Sequence, residues 1–485
     1  MRISRRRFLG ATTAAAAAAA LAPRFRVRRA RAGAPEFRSR RVVIVGIGGG
    51  LRRSESLGMA EGATMPNLFG RVPLISGSGD ADAGDPVIAP EYAAAVPALV
   101  LPAPRVAPLF TEGALVANLR YDGGAPGHLQ GQGCLVSGFY NNIENRADAR
   151  LPVPTVFEIH RRETNAAATD AWYISNPGGF YSALQTSANP EFGPRFGGSF
   201  LSPPGAVSAL VPIVTSGKRE LELDLSGGKV PALPTIPGTP EEAAAVRRLA
   251  GVLDGNSPAR SDDALFRASD ADNAAIEDHL ARIYSDSTYG AIFPDSFGIG
   301  LANPDGSLDE TADALTVYHA EQILEKFQPA VLAMTLLDID QCHNDFNAYL
   351  RGQQISDACV AHLWDFIQST EGLRDQTTLL VLPEHGRHLY SNGQNPDSLN
   401  RSGIDHGQGD AGDREVFLLA LGPDIAPAGV IEPTGVSQTG RTSDRYESID
   451  VIMTAMGLLG HDRTMKAALE AEGARPGLFI EEILR

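Results

Sequence analysis

The chain has 485 residues, 43% of them apolar and 21% charged, enough to bury a large core, and length alone predicts two or three domains. Its 58 acidic residues against 42 basic ones give a net charge of −16, a field that disfavours nucleic acid and anionic membrane surfaces; any anionic substrate would need a local positive centre, such as bound metal ions. Three cysteines, Cys134, Cys342 and Cys359, leave at least one unpaired and give no disulfide framework, so the fold must rest on its core.

The first 32 residues stand apart, with nine arginines and no acid. Ser4-Arg5-Arg6-Arg7-Phe8-Leu9 precedes an apolar run from Ala11 to Leu21, and Ala30-Arg31-Ala32 follows. The run is eleven residues long, well short of the roughly 20 that span a bilayer, so no stable membrane anchor is expected. The segment resembles a twin-arginine export signal ending in an A-x-A cleavage site. That resemblance implies a bacterial or archaeal source, and passage of the folded chain through the twin-arginine machinery to a periplasmic or extracytoplasmic location. Such a chain can take up a metal before it leaves the cytoplasm.

Arg41 to Ile47 (RVVIVGI) is a continuous apolar run flanked by glycines, which predicts a strand buried on both faces of a parallel sheet. A helix is expected to end at Ser137-Gly138, with Cys134 a small buried apolar residue rather than a nucleophile. From about Asn176 to Asn256 the chain is rich in Gly, Pro and Ser, predicting a long insertion that lies over the sheet, outside it, and caps the site. Thr239-Pro240-Glu241-Glu242 carries the pattern of a capped helix start.

Val331–Leu337, Thr378–Leu382 and Val416–Leu421 predict three further strands. Asp345 to Thr370, with Phe346, Tyr349, Leu350, Leu363, Trp364 and Ile367, has helical texture. The 331–421 region therefore reads β-α-β-loop-β. Tyr446–Leu459 predicts an amphipathic helix closed by Gly460. Residues 33–485 thus read as a single α/β domain, a doubly wound, mostly parallel sheet flanked by helices, with a Gly/Pro-rich insertion at about 176–256.

Three short stretches each pair a carboxylate with a histidine. Asp338-Ile339-Asp340-Gln341-Cys342-His343 follows the strand at 331, Glu384-His385-Gly386-Arg387 follows the strand at 378, and Asp405-His406 lies in the polar loop before Val416. Imidazole nitrogen with carboxylate oxygen suits zinc, or manganese, iron or magnesium where carboxylates dominate. Ligands delivered one loop at a time are what an α/β enzyme provides at its strand ends, where ligands bind. Each stretch alone also has a structural reading: Glu384-His385 as a strand-end cap, Asp405-His406 as a loop pair, Arg387 as the partner of a local carboxylate. His160, His279, His319, His388 and His461 show no motif context, and His362 reads as a packing or surface residue. Gly48-Gly49-Gly50 lacks a nucleotide fingerprint and reads as a place where a substrate or metal comes close to the strand end.

The run Leu379–Arg387 (LLVLPEHGR), followed by Asn392-Gly393 and Asp405-His406-Gly407, joins Asp338–His343, Met65-Pro66-Asn67-Leu68 after the first strand, and the closing YESIDVIMTAMGLLG. In order and spacing these motifs resemble the alkaline phosphatase and sulfatase superfamily, and within it the twin-arginine-exported DUF1501 and sulfatase-like group. The resemblance covers both ends of the chain and misses the insertion. It implies an alkaline phosphatase-like fold with one or two divalent ions, zinc foremost, with manganese or iron as alternatives. One ion would be held by Asp340 (or Asp338), His343 and His406, a second by Glu384 and His385. The implied activity is hydrolysis of a small anionic phosphate or sulfate ester.

Two departures mark this chain. The first strand runs into Gly48-Gly49-Gly50, where metal-dependent members carry an aspartate, and His128 stands where the nucleophile should be. There is no C-x-P-S-R motif, so formylglycine chemistry is not expected. His128 reads, in falling order, as an additional metal ligand, a general base, or a phosphohistidine-type nucleophile, and Arg387 as a cation stabilising charge on the transferred group. The departures keep a second expectation open, a non-catalytic envelope binding protein on the same scaffold with a metal or none.

Overall fold

The computed structural model describes residues 37–58, 64–75, 98–143, 149–175, 179–201, 308–343, 345–389, 403–407 and 411–485, the strands 220–225 and 228–234, and a few residues between. The export motif, the predicted helix start at Thr239–Glu242 and most of the predicted insertion lie outside the described residues.

Eight strands form one mixed, mostly parallel sheet: β1 (Arg41–Ile47), β2 (Ala114–Arg120), β3 (Ala171–Ser175), β4 (Ser199–Leu201), β5 (Val331–Leu336), β6 (Thr377–Pro383), β7 (Glu415–Leu421) and β8 (Gly429–Ile431). Their order across the sheet is β8-β2-β7-β6-β1-β5-β3-β4. All lie parallel to β1 except β7, which is antiparallel to both of its neighbours, β6 and β2. Two smaller sheets form apart from its ladder, one of three strands (Ala98–Val100, Gly300–Ala302, Leu308–Glu310) and a hairpin (Glu220–Leu225 with Gly228–Pro234).

Helices cover both faces, which is why the central strands are apolar throughout instead of alternating. Along β1, Val43, Val45 and Ile47 pack with α3 (Ala312–Phe327) and α4 (Phe346–Ser369). Val42 and Ile44 face the other way, towards α1 (His128–Ser137), α2 (Val156–Thr164), α5 (Ser448–Leu458) and α6 (Asp462–Ala471). Asp345 starts α4 by accepting hydrogen bonds from the amides of Asn347 and Ala348, and Gly138 closes α1 in the left-handed conformation. No helix among the described residues is long and apolar enough to cross a membrane.

Two features depart from the sequence expectation. The strand read at Val416–Leu421 runs against its neighbour, and a continuous apolar run carries no sign of direction. The predicted insertion is partly sheet, since Ser199–Leu201 pairs in parallel with Trp172–Ile174 as the edge strand β4. Three residues are too few for period-2 patterning to show among glycines and prolines.

Direction decides where the loops go. Ile47, Leu336 and Pro383 lie side by side in register, so β1, β5 and β6 end at one edge. Because β7 is antiparallel, it begins at that same edge. The loop entering it therefore meets the loops leaving the other three.

Candidate metal centre

Four segments meet at this edge, and the N-terminus of α1 is a fifth. After β1 the chain turns through Gly49 (φ 84°) and Gly50 (φ 75°), left-handed conformations that a side chain would strain. A β-carbon on Gly50 would also sit 2.6 Å from both Gly386 O and His385 Nδ1. The Gly49 amide donates to Glu384 Oε1 at 2.6 Å. So at the end of the first strand, which carries no carboxylate, a backbone donor orients a carboxylate from the neighbouring strand end.

Two groups of ligand atoms result, each within 4.8 Å of one another: His128, Asp340, His343 and His406, and His128, Glu384 and His385. In the first, His343 Nε2 lies 3.1 Å from Asp340 Oδ1 and 3.2 Å from His406 Nε2. The outer nitrogens fix what the inner ones offer. His406 Nδ1 donates to Pro126 O at 2.8 Å and His343 Nδ1 to Asp405 Oδ1 at 2.7 Å, which turns the two Nε2 atoms towards each other. Two ring nitrogens and a carboxylate oxygen that converge in this way suit a cation or a shared proton between them. A carboxylate behind a histidine is also the usual outer support of a metal-ligating ring.

The second group repeats the pattern, with Glu384 and His385 fully buried. His385 Nδ1 donates to Gly386 O at 2.7 Å. Its Nε2 is buried and finds no hydrogen-bond partner, although Glu384 Oε1 lies 3.3 Å away. Glu384 itself is held at Oε2 by Gln132 Nε2 at 2.7 Å. Gln132 Oε1 accepts from Thr335 Oγ1 at 2.9 Å, and Tyr173 OH lies 3.0 Å from that hydroxyl. Imidazole nitrogens with carboxylate oxygens are a donor set for borderline divalent metals, zinc above all.

His128 begins α1 and spans both groups, with Nδ1 2.7 Å from Glu384 Oε1 and Nε2 3.3 Å from Asp340 Oδ1. Burial alone would favour the neutral ring, but the Glu384 charge and the hydrogen bonds to Asp340 and Glu384 raise its pKa to about 10. The carboxylates respond in kind. Burial pushes Asp340 up, yet hydrogen bonds from His128 and His343 and the Arg387 charge hold it well below the usual range. Glu384 falls to about 2, the cost of burial being outweighed by His128 and His385. Burial, with cationic neighbours, keeps His406 neutral far below its ordinary range.

The sequence-predicted residues His128, Asp340, His343, Glu384, His385 and His406 therefore come together. Asp338, offered as an alternative to Asp340, does not: its Oδ2 accepts from the Asp313 amide at 3.1 Å at the start of α3, away from both groups. Arg387 is also placed differently from the substrate-facing cation expected. It is fully buried, donating to Gly50 O, Ile404 O and Asp340 Oδ1, the last at 2.8 Å. It positions Asp340. Asp405 and Gln132 were missed as supports. Gln132 stands one helical turn after His128, a spacing that places both on one helix face.

The remaining histidines lie elsewhere. His160 pairs with Asp170 and His461, His362 with Glu321, and His388 with Asp413, while His319 is buried in α3. All three cysteines are buried and free.

No protein-family model matches this chain, and no curated protein matches it. Among solved structures it is similar to wild-type alkaline phosphatase PafA, at 9% identity and TM-score 0.45 over 94% of this chain and 100% of that one. It is also similar to the phosphonate monoester hydrolase SpPMH from Silicibacter pomeroyi, at 12% identity and TM-score 0.35 over 86% and 72%. The lipoteichoic acid synthase LtaP from Listeria monocytogenes gives 10% identity and TM-score 0.37 over 90% and 76%.

Proposed function

We propose that this protein is a metal-dependent hydrolase of small phosphate or sulfate esters, carrying one or two divalent ions, zinc foremost and manganese or iron as alternatives. The observation that supports this most is the convergence of the Nε2 atoms of His343 and His406 with Asp340 Oδ1 at a partly exposed strand edge. A divalent cation there would supply Lewis acidity at an ester oxygen, and a local positive charge for an anionic substrate in an acidic protein.

The chain's own residues hold that arrangement. Asp340, His343 and His406 bind at the open side, and Glu384 and His385 at the buried side. Arg387 and Asp405 keep Asp340 and His343 aimed inward. The Glu-His-Gly-Arg and Asp-His-Gly motifs favour a place beside the DUF1501 and sulfatase-like group within the alkaline phosphatase superfamily.

A second reading, a metal-binding protein without turnover, draws on His128 and Arg387. His128 stands where a nucleophilic hydroxyl was expected and is engaged by two carboxylates, and Arg387 has no exposed surface. Elemental analysis of the natively purified protein, beside a His343→Ala/His406→Ala variant and a panel of phosphate and sulfate esters, separates the two. Metal and turnover both lost in the variant are the result expected. Bound metal with no turnover on any ester leaves the second reading, and metal-free folded wild type overturns both.

Residues 1–32 we take as the export signal that carries the folded protein to the periplasm. Fused to a reporter, the segment is expected to export it, and Arg5→Lys/Arg6→Lys to abolish export.

A further inference from the structure

We propose that His128 is a bridging ligand, its two ring nitrogens each binding one of two separate divalent ions. The inference rests on the metal-site reading above and goes beyond it by giving one residue to both ions. The two ligand groups share no other member. Nε2 of His128 faces Asp340 and Nδ1 faces Glu384, and the two nitrogens point outward from opposite sides of one ring. Three further imidazoles surround it, with ring centroids 4.6 Å away for His406, 5.7 Å for His385 and 6.3 Å for His343.

Ligand counts point the same way. Without His128 the group at Glu384 and His385 offers two side chains, one fewer than the three protein ligands of catalytic zinc sites, and with it three. The group at Asp340, His343 and His406 has three without it and four with it. Each ring nitrogen faces a carboxylate oxygen that would bind the same ion. Ion binding at both nitrogens releases the ring's N–H protons to solvent and leaves an imidazolate joining two cations. Such a bridge sets the ions farther apart than the ~4 Å of metal pairs that clamp one oxygen between them.

The test uses Cu(II) as probe, because it binds nitrogen and oxygen sites most tightly among the divalent first-row metals. The full-length protein, stripped and titrated with Cu(II), is followed by elemental analysis and electron paramagnetic resonance. The expected wild-type result is two ions per chain, with a spin signal that falls as the second ion enters because the imidazolate couples the two spins. His128→Gln is expected to keep one ion with full signal, its circular dichroism showing the fold intact. Two ions with additive, uncoupled signals in wild type, or a single ion, overturn the bridge while leaving the metal reading in place. No bound ion overturns both. The wild-type signal decides the matter even if the variant does not fold.

Discussion

Asp405 accepts a hydrogen bond from His343, Nδ1 to Oδ1 at 2.7 Å, and so determines which ring nitrogen faces Asp340 and His406. Asp405→Ala releases the ring, and metal affinity should fall 10–100-fold, the range seen when outer supports of metal ligands are removed. Asp405→Asn keeps an acceptor oxygen and should lose less. Competition against a chromophoric chelator measures both, and an unchanged affinity in Asp405→Ala would show that the ring is held by other means.

Arg387 is expected to matter more for stability than for substrate. Arg387→Met leaves Asp340 without its guanidinium and two backbone carbonyls without their donor. Breaking a buried pair from one side costs about 3 kcal/mol. Urea unfolding of metal-stripped protein should show that loss. Zinc should restore part of it, because the ion takes over the role of cation beside Asp340.

Gly131 lies against the strand end that carries the second group. A β-carbon there would stand 2.9 Å from both Cβ and the carbonyl oxygen of Glu384. Gly131→Val should therefore push α1 away from β6 at a cost of about 1–3 kcal/mol. Gly131→Ala should cost less, since its gain in helix propensity of up to ~1 kcal/mol offsets part of the clash. In both, ion content should fall while far-ultraviolet circular dichroism holds. An undiminished ion content with a shifted unfolding midpoint would show that Glu384 tolerates the displacement.

His319, far from the ligand groups in sequence and fully buried in α3, sets a pH dependence of its own. Burial lowers its pKa to about 4, against the small opposing effect of its hydrogen bond to Leu315 O. Below the ordinary value of about 6.5 the unfolded chain takes up a proton that the folded chain refuses. The unfolded state then binds more protons, so stability is full above pH 6.5 and is lost as pH falls towards 4, by roughly 3 kcal/mol in all. His319→Phe should flatten that part of the stability curve in denaturant titrations between pH 4 and 7, and an unaltered slope would assign the acid sensitivity to other groups.

Much of the sheet was legible because strands buried on both faces are apolar without interruption. Arg41–Ile47, Val331–Leu336, Thr377–Pro383 and Glu415–Leu421 fall within a residue of the runs read from sequence. Ala114–Arg120 and Ala171–Ser175 were not read, since Asn118 and the short AWYIS segment interrupt or abbreviate the signal. At the site, carboxylate-histidine pairs stood out by adjacency. What adjacency could not show was direction: Asp338 and Asp340, two residues apart in a tight turn, point to different neighbours. Nor could it show that Arg387 turns inward, because that follows from Gly50 and Ile404 lying across the edge from it.

The order in which the centre is assembled follows from its parts lying at residues 49, 128, 340, 384 and 406. Contacts so distant along the chain form late in folding, after long loops have closed. No growing or truncated chain that stops before residue 406 can present His406 to His343. Occupancy of that group by an ion would thus report that the polypeptide has been made and folded at least that far, a mark of maturity.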